Sequence, residues 1–106
     1  MKALRNKRGD TFTVTGVRHT AAGAPVNLTG YTLRSQAREP VTGDLLAELS
    51  VVITNAALGQ FTLSAAAVVT ADWNPGTYEL DVEFSIGGVV DSTETTTLEV
   101  VKDITR

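Results

Sequence analysis

The sequence predicts an all-β protein: a sandwich of six or seven antiparallel strands with one short helical crossover near residues 65–71. Two observations carry this. Turn signals recur at Gly23-Ala24-Pro25, Pro40 to Asp44, Asn55 to Gly59, Asn74-Pro75-Gly76 and Gly87-Gly88, a spacing of about ten residues that suits short strands. Between them, apolar and polar residues alternate with the period of a half-buried strand. The clearest case follows Asn74-Pro75-Gly76. Tyr78, Leu80, Val82, Phe84 and Ile86 point one way; Thr77, Glu79, Asp81, Glu83 and Ser85 point the other.

The elements follow in order. Residues 1–9 form a basic arm ending in Gly9, with no apolar face of its own, so a partner is needed to order it. The domain spans 10–106. Thr11 to Arg18 is a β-branched strand with Phe12, Val14 and Gly16 inward. His19 to Ala24 turns, and Val26 and Leu28 cover the core edge. Tyr31 to Arg38 alternates, with small Ser35 and Ala37 inside. Leu45 to Thr54 places Leu45, Ala47, Leu49, Val51 and Ile53 on one face. Gln60 to Ser64 is short, with Phe61 and Leu63 inside. Ser64 can cap a helical turn through Ala65-Ala66-Ala67. The segment is too short to stand alone, so it reads as the crossover. Gly87-Gly88 makes a hairpin, and Val89 to Val101 is the last strand, with Leu98 and Val100 inward. The expected core is Phe12, Val14, Leu33, Leu49, Ile53, Phe61, Leu63, Tyr78, Leu80, Val82, Phe84, Leu98 and Val100. Asp72-x-x-x-Gly76-x-Tyr78-x-Leu80 resembles the corner of an immunoglobulin-like domain, where a tyrosine opens a strand two residues before a core position.

Composition bounds function. The chain of 106 residues has 42% hydrophobic and 20% charged residues, ordinary values for one globular domain. There is no cysteine, so disulfides and thiolate metal sites are excluded. The basic start has no apolar run behind it and is not read as a signal peptide. No run is long enough to span a membrane as a helix. Synthesis in a cytoplasm, without secretion, is the expectation. Charge is uneven: Lys2, Arg5, Lys7, Arg8, Arg18, Arg34 and Arg38 face only Asp10 before residue 39, whereas residues 39–101 carry acids and no Lys or Arg. The two halves can therefore pair strand against strand, with Arg34 and Arg38 against Glu79, Asp81 and Glu83. The polarity also suits docking on a partner or another copy.

No residue set predicts catalysis. His19 is the only histidine, sits in a turn and has no nucleophile or second ligand near it. Glu79, Asp81 and Glu83 form a straight row, not the wrapped loop that Ca²⁺ requires. There is no Gly-x-Ser-x-Gly elbow and no phosphate loop. Four bases without interleaved aromatics do not make a nucleic-acid site. Trp73 beside Pro75 plugs the end of the sandwich, although Trp73 and Tyr31 would stack on a sugar if exposed. No enzyme activity, cofactor, metal or small-molecule substrate is expected.

Several segments in a fixed order carry a family resemblance. They are Asp10-Thr11-Phe12, Gly23 to Tyr31, Leu58 to Leu63, Pro75 to Val82, and Val100 to Arg106. Together they resemble small immunoglobulin-like proteins of tailed bacteriophages, closest to the N-terminal domain of baseplate upper proteins and to tail-fibre or neck accessory proteins. The resemblance implies a non-enzymatic virion subunit of baseplate, tail fibre, neck or capsid surface. Its partners would be other virion proteins and copies of itself, not nucleic acid or membrane. The chain lacks the receptor-binding or coiled-coil part of those proteins, which favours a connector or decoration role. The candidate partner-binding residues are Lys2, Leu4, Arg5, Lys7 and Arg8 of the arm. The alternative function is a small soluble binding module for carbohydrate or a host surface.

Overall fold

The computed structural model describes residues 4–20, 22–92 and 95–102. The elements are β1 (Leu4–Lys7), β2 (Phe12–Val17), β3 (Thr32–Arg38), β4 (Leu45–Asn55), a 3-10 turn (Ala56–Leu58), β5 (Gln60–Ala65), α1 (Ala67–Thr70), β6 (Gly76–Ile86), β7 (Val89–Ser92) and β8 (Thr96–Val101). Hydrogen bonding runs β1-β8-β6-β3-β4-β5-β2, with β7 also on β6. All pairs are antiparallel except β1 with β8. The long strand β4 joins the two layers: Leu45 to Leu49 pairs with β3, and Ser50 to Asn55 pairs with β5. One layer holds β1, β8, β6, β7, β3 and the start of β4. The other holds the end of β4, β5 and β2. This is the all-β sandwich the alternation predicts, with eight strands among the described residues in place of six or seven, and one parallel pair.

The strongest pattern gives the longest element. In β6, Tyr78, Leu80, Val82 and Phe84 are buried while Glu79 is exposed and Asp81, Glu83 and Ser85 are half-buried. Its start is fixed by the tyrosine corner, in which the Tyr78 hydroxyl donates to the Asn74 carbonyl at 2.7 Å. Its end is fixed by Gly87 and Gly88, with φ of 56° and 82°. Two successive positive φ values give a two-residue turn that follows the twist of the strands.

Between the layers, Phe61 meets Phe84 edge to face at 5.6 Å, and Phe12 meets Trp73 at 6.0 Å. Of the expected core, Val14, Leu33 and Ile53 are half-buried and the rest are buried. Trp73 is 2% exposed, closing the end of the core as its place beside Pro75 predicts. Leu28 is fully buried, deeper than the edge position expected of it. Its backbone N–H donates to the Ala56 carbonyl, which draws the 27–31 turn onto the 3-10 turn and carries the side chain inside.

Three local expectations are corrected. Ser64 lies within β5, and α1 starts after Ala66 with no side-chain cap. The helix is held instead by Thr70, fully buried, whose hydroxyl accepts from the Gly9 N–H at 3.0 Å and lies 2.8 Å from the Asp10 carbonyl as its donor. Tertiary hydrogen bonds thus replace the cap that a four-residue helix cannot do without. Val89 to Val101 is two strands: β7 pairs with the end of β6 and β8 with its beginning. Thr93 and Glu94 of that run lie outside the described residues. Finally, part of the expected arm is a strand. Leu4–Lys7 pairs in parallel with Leu98–Val101, so this chain's own last strand orders it.

Candidate interaction surfaces

Of the candidate partner-binding residues, Lys2 lies outside the described residues. Leu4 is half-buried against the core, opposite Leu98. Arg5 donates to Glu99 at 2.9 Å. The Arg8 side chain donates from Nε to the Ala71 carbonyl at 2.7 Å. Of these residues, Lys7 is exposed and makes no side-chain hydrogen bond or ion pair among the described residues. The structure therefore brings Leu4, Arg5 and Arg8 onto β8 and α1, where they serve the fold. The acidic complement that the arm needs, Glu99, is on the same chain.

A second surface is the outer face of β3 and β6. The register places Arg34 opposite Glu83, Gln36 opposite Asp81 and Arg38 opposite Glu79. The two strands are neighbours, as the charge pattern predicts. The ion pair of Arg34 nevertheless forms on the other side, and Arg38 makes none among the described residues. Arg34 Nε donates to Glu48 of β4 at 2.8 Å, and Gln36 Nε2 donates to the same carboxylate at 2.6 Å. Arg38 donates to the Gly43 carbonyl at 2.9 Å and to Gln36 Oε1 at 3.0 Å. Glu48 offers two oxygens to two donors at once, so it outcompetes the single row on β6. The hydrogen bonds from Arg34 and Gln36 hold the Glu48 carboxyl below the usual range, and Glu48 in turn raises the Arg34 guanidinium. Glu39 is likewise lowered, by the backbone N–H and hydroxyl of Thr42 and the N–H of Val41.

That arrangement leaves Glu79, Asp81 and Glu83 with no ion pair among the described residues. They line an open groove of about 330 Å³ with Gln36, Arg38 and Thr95. The groove is shallow and polar. Among the described residues it has no nucleophile with a base beside it, and no group of three or more His, Asp or Glu is placed to hold a metal. His19 is exposed, and its backbone forms an isolated antiparallel bridge with Pro25.

The third surface is the outer face of the other layer. Three strands form a grid there. Thr13, Ser64 and Ser50 make one row; Thr15, Thr62 and Val52 make the next; Val17, Gln60 and Asn55 make the third. None carries charge. The layer opposite holds Arg5, Arg34, Arg38, Glu48, Glu79, Asp81, Glu83 and Glu99. The sequence does contain the signal: Leu49 to Ala71 and Thr11 to Val17 have no Asp, Glu, Lys, Arg or His. A division of charge by halves of the chain hides it, because the two uncharged segments fall in different halves. Charge depletion of this kind marks the centres of protein interfaces.

Arg18 ties the two layers at one end. Its guanidinium lies 4.3 Å from the Phe84 ring centroid and pairs with Asp91 of β7 at 2.7 Å. Stacking on an aromatic face lets a cation sit partly inside a core. Trp73 is buried, so its ring is not presented to a sugar; Tyr31 is half-buried, with Arg18 5.7 Å from its ring centroid.

No protein-family model matches the chain, and no curated protein sequence matches it. Solved structures do. The N-terminal domain of phage TP901-1 ORF48 superposes with a TM-score of 0.60 at 22% identity, over 92% of this chain and 83% of that one. The Lin-41 filamin domain superposes with a TM-score of 0.53 at 17% identity, over 92% and 82%. The architecture is thus an immunoglobulin-like β-sandwich, shared with a phage protein domain and with a filamin domain.

Proposed function

We propose that the protein is a non-enzymatic structural subunit of a tailed-phage virion, an assembly part of baseplate, tail fibre, neck or capsid surface. The observation that carries this reading is the likeness, across 92% of the chain, to the N-terminal domain of a phage protein. The surfaces support it. One face is charged and grooved, the other is free of charge, and among the described residues neither assembles a nucleophile, base and oxyanion donor set of the kind catalysis needs. A sandwich with two chemically distinct faces is suited to standing between two protein neighbours, other virion proteins on one side and further copies on the other.

The test is quantitative mass spectrometry of purified particles. A structural subunit is present at fixed stoichiometry to the major tail or capsid proteins and stays through density-gradient purification. Absence of the full-length chain from particles, with the protein found only in the soluble lysate, overturns the proposal.

A further inference from the structure

We propose that strand β2 pairs edge to edge, antiparallel, with β2 of a second copy. This joins the two charge-free layers into one continuous sheet. The proposal does not depend on the virion reading.

The argument begins with the open edges. β2 is the last strand of the hydrogen-bonded order. Among the described residues, β5 is its only partner, and no side chain or backbone group bonds the opposite edge of Phe12 to Val17. Open edges are templates for further pairing, and proteins guard them with charge, proline, bulges or very short strands. The first strand of the order is guarded: β1 has four residues, among them Arg5 and Lys7. β7 is as short, and its Asp91 is held by Arg18. β2 has six residues, Phe-Thr-Val-Thr-Gly-Val, with no charge and no proline, in unbroken register with β5.

The absence of charge selects the occupant. A two-fold pairing sets every residue near its own equivalent, so any charge on the strand meets its like. β1 would bring Arg5 and Lys7 against themselves. β2 has nothing to repel, and neither does the grid behind it. A foreign partner, by contrast, is normally steered by opposite charge, and this face offers none. The register follows from the pleat. Phe12, Val14 and Gly16 face inward, so the pairing must keep that phase. Centring the two-fold on Thr15 does so: Thr15 opposes its copy, Thr13 opposes Val17, and Val14 opposes Gly16. Edge pairing alone buries less than the roughly 1,000 Å² of a stable interface. The contact is weak in isolation and gains strength where many copies are held together.

The chain has no cysteine, so single cysteines report one contact at a time. Residues directly opposite in an antiparallel pair have Cα atoms about 4.5–5.5 Å apart, within disulfide reach. Thr15→Cys should therefore form a covalent dimer under mild oxidation. Thr62→Cys, one strand further in, should not, because strand spacing puts its copies about 14 Å apart. Without cross-linking, sedimentation of the wild type should show dimer rising with concentration. Thr15→Lys should weaken it at least about tenfold, since like charges directly opposite disfavour a pair, with an unchanged circular dichroism spectrum. Preferential cross-linking at Thr62 would show that the faces stack instead. Equal or absent cross-linking at both sites, or a wild type still monomeric at about 1 mM, the limit of weak association, also overturns the proposal.

Discussion

Gly16 is the residue whose replacement tests the packing most sharply. It is buried in β2 directly opposite Phe61 of β5. A Cβ at this position would lie 2.5 Å from Phe61 Cζ and 2.8 Å from Cε2, well inside contact distance. The backbone there is ordinary, unlike at Gly59 or Gly87, so the cost of Gly16→Ala is steric and not conformational. The ring cannot swing aside freely, because its other side meets Phe84 at 5.6 Å. Overpacking of a tight core costs about 1–3 kcal/mol. Replacing glycine returns about 0.4–1 kcal/mol through the unfolded chain. The net loss is about 1–2 kcal/mol, or roughly 4–15 °C in melting temperature for a domain this small. Chemical denaturation of Gly16→Ala, Phe61→Leu and the double variant measures it. The smaller side chain makes room for the methyl, so the double variant should be more stable than the sum of the singles, by about 0.5 kcal/mol or more. A Gly16→Ala protein within about 0.5 kcal/mol of wild type, or strictly additive variants, refutes the reasoning.

Three further outcomes are expected. Tyr78→Phe removes the hydroxyl that donates to Asn74 and should cost about 0.5–1.5 kcal/mol in urea unfolding, the net worth of one such bond; no loss would mean the corner is not held there. The Glu48 carboxyl titrates below the ordinary range because Arg34 and Gln36 donate to it. Its contribution to stability is therefore complete above the unfolded value and lost as pH falls through the depressed one; Arg34→Ala should move its carbon NMR titration upward, and an unmoved titration rejects the pairing. Removing residues 1–7 strips β1 from β8 and takes Leu4 from beside Leu98, so the melting temperature should fall; an unchanged value would return those residues to the status of an arm.

Much of the sandwich was legible because β6 alternates without a fault, and because Tyr78 and Gly76 stand at the spacing of a corner. Other features were not, each for a physical reason. β1 has one apolar residue that packs, Leu4, and its partner strand lies at the other end of the sequence, so no local pattern announces it. β7 buries nothing; its valines carry β-propensity without the alternation that separates it from β8. The Arg34 contact turns on lateral competition between β4 and β6, which alternation within a single strand does not encode. The charge-free face was written in two segments, and only the pairing of β2 with β5 puts them side by side.

The parallel pairing of β1 with β8 has a mechanical consequence. Leu4 aligns with Leu98 and Lys7 with Val101, so the chain enters the ladder at one end and leaves it at the other. Tension applied through the two ends of the domain slides these strands along each other and strains their hydrogen bonds together. An antiparallel hairpin such as β6–β7, pulled at its open end, yields one bond at a time. The same few contacts thus resist stretching collectively, as a shear clamp, where a zipper of equal size would part in sequence.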